Sequence, residues 1–166
     1  MQLATQLVDA DPSAARALLE ELERDVQQAL NETGRLAQRI YPPLLEAGGL
    51  TAALRAAASG IGIPVSVEVE AATGCPPEVL RTVYLCCLEA LEQADAEARA
   101  VVTVRKEARA IAFEVMEKGG RSVAARGRSD ALDSLRDRVE ALGGWLTVSS
   151  APRGGTRLSG SLPLPR

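Results

Sequence analysis

The chain has 166 residues, a net charge of −3, 46% apolar and 25% charged residues, and no histidine. That length supports one domain with its own core plus a helical appendage, and the absence of any basic block excludes a nucleic-acid footprint. Lack of histidine removes the commonest general base and metal ligand, while the lack of an apolar run near ~20 residues and of a signal-peptide pattern predicts a cytoplasmic chain without membrane contact.

Residues 1–10 are apolar at Leu3, Leu7 and Val8 and lead to Asp11-Pro12, which reads as an N-cap followed by proline at the first helical position. A long helix is expected from there to Ile40. Leu19, Leu22, Val26, Ala29, Thr33, Leu36 and Ile40 are spaced alternately by three and four residues, the seam of a coiled coil or bundle. Gly34 weakens it by ~1 kcal/mol relative to alanine. One amphipathic helix packed on its own domain would give some of this pattern, but its regularity favours a bundle or dimer. Tyr41-Pro42-Pro43 stops the helix.

An alanine-rich helix is expected over 50–59, closed by Gly60 and Gly62, and residues 64–70 alternate with period two as a half-buried strand. Pro76-Pro77 opens a helix expected to reach about Ala98. It carries Cys86 and Cys87, which with Cys75 show no metal-type spacing; adjacent helical residues do not face each other, so buried inert thiols are expected. Strands follow near 101–105 and 111–115, then a Gly-, Arg- and Ser-rich loop over 118–129, a helix over 130–142 ending at Gly143-Gly144, and strands over 145–149 and 156–164. Only Phe113, Trp145, Tyr41 and Tyr84 are aromatic, so the core must come from Leu, Val, Ile and Ala. This order predicts an α+β fold, a two-layer sandwich with helices on one face of a sheet.

The stretch Leu135-Arg136-Asp137-Arg138-Val139-Glu140-Ala141-Leu142-Gly143-Gly144-Trp145, continued by Ser150-Ala151-Pro152-Arg153-Gly154-Gly155-Thr156, resembles the end of a bacterial histidine-kinase ATPase domain, a Bergerat-type fold. Arg39-Ile40-Tyr41-Pro42-Pro43-Leu44-Leu45 followed by Gly49-Leu50 resembles the junction before that domain in the sensor kinases that pair with LuxR- or NarL-type response regulators. Residues 11–30 resemble the second dimerisation helix, placing a dimerisation region at 1–45 and the ATPase domain at 46–166. The phosphoacceptor histidine of the first helix is missing. Either the chain starts at an internal methionine of a longer kinase, or that helix is not part of the protein.

The resemblance implies ATP and Mg²⁺ as cofactors, and assigns Glu89 as the catalytic acidic residue or metal ligand. Gln93 stands where the family has a magnesium-binding asparagine, and Glu97 where histidine is common. Glu117 replaces the aspartate that accepts the adenine amino group; Gly119, Gly155 and Thr156 complete the cofactor-binding set. Lid glycines align with Ala131 and Ser134, leaving Arg121, Arg126 and Arg128 as flexible cations. Each change costs about 1–3 kcal/mol at a buried hydrogen bond, against the roughly 8 kcal/mol of a micromolar complex. The sequence thus implies a degenerate, weak ATP site in a kinase-like protein that signals as a homodimer through helix 11–40 and a response regulator. The alternative is a competent ATP–Mg²⁺ domain phosphorylating a histidine supplied upstream or in trans.

Overall fold

A computed structural model describes residues 12–40, 43–70, 72–119, 130–151 and 154–165; the side chains at 31, 32, 35–40 and 43 are not described. The N-cap expected at Asp11, the turn at Pro152-Arg153 and the loop arginines 121, 126 and 128 lie outside those residues. The chain divides between Pro42 and Pro43 into two compact units.

The first unit contributes α1 (Pro12–Ile40); the stop expected at Tyr41-Pro42 lies outside the described residues. Leucine, alanine, glutamate and arginine dominate it, all good helix formers. Thr33 hands its hydroxyl to the Ala29 carbonyl one turn back, at 2.8 Å, which spares the helix an unsatisfied polar side chain.

The second unit contains α2 (Pro43–Ser59), β1 (Val65–Val69), α3 (Pro77–Glu92), β2 (Arg99–Lys106), β3 (Ala110–Lys118), α4 (Asp130–Ala141), β4 (Trp145–Ser150) and β5 (Thr156–Pro163). The helix expected over 50–59 begins seven residues earlier, but Gly49 breaks it with a left-handed φ of 73°. Its second half buries Leu50, Ala53, Leu54 and Ala57, one face at helical spacing. The α3 helix ends six residues before the expected Ala98, for a reason that lies in the site described below.

One five-stranded mixed sheet runs β1-β2-β3-β5-β4, with β1 and β2 parallel and every other pair antiparallel. Strand alternation sends Ala100, Val102 and Val104 of β2, Ile111, Phe113 and Val115 of β3, and Leu158 and Leu162 of β5 into the core. Helices α2, α3 and α4 close that face. The middle helix α3 is buried on nearly all sides, including Val83, Cys86, Cys87, Leu88 and Leu91. Phe113 sits opposite Gly160 across β3 and β5, and a Cβ at Gly160 would overlap its ring, so only glycine admits the one phenylalanine there.

Helix α4 packs through Val139 with Leu132, Leu135 and Leu142 beside it. It ends in a Schellman turn: Gly144 N–H reaches Val139 O at 2.9 Å and Gly143, at φ 77°, reaches Glu140 O at 2.8 Å. The double glycine therefore ends the helix where the sequence places its end, and Trp145 begins the next strand. The opposite sheet face is more open and polar, with Arg157 Nε donating to Glu114 at 2.8 Å. No helix among the described residues is long and apolar enough to cross a membrane.

Candidate functional site

Three backbone segments deliver the residues singled out by sequence to one end of the sheet. The C-terminal turn of α3 carries Glu89 and Gln93; the end of β3 carries Glu117 with Gly119 just beyond it; the start of β5 carries Gly155 and Thr156. Gly155 adopts φ 100°, and a Cβ there would overlap the Glu117 carbonyl oxygen. Glycine is thus what lets the 154–156 turn close against β3. A hydrogen bond joins the other two segments: the Asp95 N–H, just past α3, donates to Glu117 Oε1 at 2.9 Å.

Within α3, Gln93 Nε2 donates to Glu89 Oε1 at 2.6 Å, one helical turn apart. Glu89 is buried (7% exposed), as is Glu117 (3%). Buried carboxylates are tolerated when hydrogen bonds replace water, and both have such partners. Thr156 differs: its hydroxyl oxygen is buried and has no hydrogen-bond partner.

The bond from Asp95 explains the short α3. Ala94 N–H turns to Leu91 O three residues back at 3.1 Å, and the next amide goes to Glu117 instead of continuing the helical ladder. Ala98 N–H then bonds Asp95 O at 2.9 Å, closing a turn that leaves Glu97 exposed. The sequence expectation of a helix to Ala98 is overturned by this side-chain capture of a backbone amide.

Ala131 and Ser134, the positions aligned with lid glycines, already lie in the first turns of α4, Ala131 half-buried and Ser134 exposed. The groups that the resemblance assigns to a magnesium nucleotide are engaged within the protein. Glu89 and Gln93 bond each other, and one Glu117 oxygen holds Asp95. A separate open groove of about 740 Å³ beside β1, lined by Arg55, Ser59, Ile63, Val65 and Val67 among others, contains none of the residues predicted for the site.

Away from this end, burial pushes the Cys86 thiol from 9.0 up to about 12, an effect that Arg138 only partly opposes. The Cys87 thiol is raised as well, first by burial and then by Cys86. Both are free and buried, as is Cys75.

Sequence reasoning missed the Asp95 amide. Its signal was present in part, since the alternation Ile111, Phe113, Val115, carried one step further, puts Glu117 on the buried face.

No family model and no curated protein sequence match this chain. Solved structures do. The histidine kinase domain from the Erythrobacter litoralis EL346 blue-light activated histidine kinase superposes with a TM-score of 0.56 at 21% identity, over 69% of this chain and 61% of that one. The longer structure of the EL346 kinase gives 0.56 at 20% identity, over 89% and 50%. The catalytic domain of the histidine kinase ThkA gives 0.51 at 11% identity, over 69% and 88%. The matches thus span about half to three fifths of the length of the two EL346 chains. This chain has the fold of a histidine kinase catalytic domain.

Proposed function

We propose that the chain is the rear portion of a two-component sensor histidine kinase, or of a kinase-like protein, whose ATP site is degenerate and weak. The observation that carries this reading is the pairing inside the site. Glu89 with Gln93, and Glu117 with the Asp95 amide, are bonded to the protein itself at the positions where the family resemblance expects groups that face magnesium and adenine. Magnesium takes oxygen ligands in near-octahedral geometry at about 2.1 Å, and a Gln93 amide turned to Glu89 is poorly placed to join such a set. Output then passes through α1. Its Leu19 and Val26 are 48% and 58% exposed, and a second copy of the chain laid along that seam would cover them. A LuxR- or NarL-type response regulator, in the cytoplasm, is the partner to which the junction residues point.

A second reading is favoured by one observation. The Thr156 hydroxyl is buried without a partner, next in the chain to Gly155, as expected of a group that awaits a ligand. A competent domain would bind ATP–Mg²⁺, which supplies the phosphoryl group for a histidine upstream or in trans. Its own residues would contribute mainly positioning and charge neutralisation.

Calorimetric titration of the chain with ATP–Mg²⁺ decides between them. The degenerate site predicts no saturable binding below ~100 μM, whereas a low-micromolar Kd, about 8 kcal/mol of binding, would establish the second reading.

A further inference from the structure

We propose that Glu117 is a latch: its Oε1 holds the Asp95 amide, ends α3 there, and is given up to a nucleotide only as Asp95 is released. The nucleotide half rests on the function proposed above, which places the adenine end of the site at Glu117. The latch itself rests on geometry alone.

The sheet register sets Glu117 opposite Ala100 on β2, only five residues beyond Asp95. The 93–98 turn must therefore fold back over the end of β3, where the buried carboxylate lies. Glu117 Oε1 takes the Asp95 N–H at 2.9 Å, an amide that would otherwise extend the helical ladder. A charge-assisted bond of this kind outcompetes a frayed helical one. Gly155 packs against the Glu117 main chain from the other side, which fixes where the side chain starts. Side-chain length completes the case. Aspartate is shorter by one methylene, about 1.5 Å, and from the same backbone position its oxygen falls short of the 2.9 Å contact. The residue that best suits adenine in the family is thus the one that cannot close this latch.

Amide hydrogen exchange followed by NMR tests the proposal on the intact chain without nucleotide. Asp95 N–H should be protected in the wild type. Glu117→Gln keeps an acceptor oxygen at the same reach and should retain most of that protection. Glu117→Asp should raise exchange at Asp95 by about tenfold or more, the equivalent of losing a hydrogen bond to a charged group. The mid-sheet amides of Val102 and Val115 should keep theirs, which separates a local opening from global destabilisation. Unprotected Asp95 in the wild type would overturn the latch even if a variant failed to fold, and so would an unchanged Asp95 in Glu117→Asp. Adding ATP–Mg²⁺ to the same wild-type sample separates the two halves. Binding accompanied by loss of Asp95 protection supports release, binding with protection intact overturns it, and no binding with Asp95 protected supports the latch while bearing against the second functional reading alone.

Discussion

Gly155→Ala provides a sharp test of how the three segments of the site are held together. Two separate costs are expected. The backbone at Gly155 is left-handed, φ 100°, which costs a residue with a side chain roughly 1–2 kcal/mol. The new methyl group would also overlap the Glu117 carbonyl oxygen, and lie 3.0 Å from its carbon and 3.4 Å from Lys118 N. Backbone atoms in a paired strand cannot swing aside like a side-chain tip, so β3 and the 154–156 turn must separate, adding about 1–3 kcal/mol of overpacking. Gly62→Ala isolates the first cost, since Gly62 has φ 80° and nothing within 4 Å of an added Cβ. For a unit of roughly 120 residues, 1 kcal/mol corresponds to about 4 °C in Tm. Gly62→Ala should therefore lower Tm by about 4–8 °C and Gly155→Ala by about 8–20 °C, measured by circular dichroism or calorimetry. Equal losses in the two variants would refute the claim that the turn is pressed against Glu117.

Replacing Leu22 and Val26 with aspartate should abolish a homodimer in analytical ultracentrifugation; a wild-type chain that sediments as a monomer at ~100 μM, far above the Kd of a stable dimer, would remove the case for the α1 seam. Cys86 and Cys87 should resist thiolate-directed reagents at pH 8 until the chain unfolds, because burial holds the Cys86 thiol up to about 12. The same shift makes stability complete below the unfolded thiol value near 9 and progressively lost as pH rises from there toward 12, so Tm should fall over that window; a Cys86→Ala variant with the same decline would assign it to other groups. If the wild type does not bind ATP–Mg²⁺, combining Gln93→Asn, Glu117→Asp and Ser134→Gly should bring measurable affinity in a calorimetric titration, and a folded triple variant that still binds nothing would move the defect to the lid.

The sequence by itself determined the elements whose signals are local. The glycine pair marks where α4 ends, because a left-handed turn acts within a few residues whatever surrounds it. Period-two alternation found β1, β2 and β3, the turn over 151–155 pointed to β4 and β5, and strand side chains on one face help supply the core. Candidate site residues could be named from the chain alone, and the fold sets Glu89 against Gln93 and Glu117 between Asp95 and Gly155. What tertiary structure alone decided is what those residues touch. Nothing between Gln93 and Ala98 announces a helix end; α3 stops because a carboxylate 22 residues further along the chain captures the Asp95 amide. That bond exists only once β2 and β3 pair in the register that sets Ala100 opposite Glu117. Backbone propensity is a near-neighbour property, whereas the partner of a buried polar group is set by the whole packed layer around it.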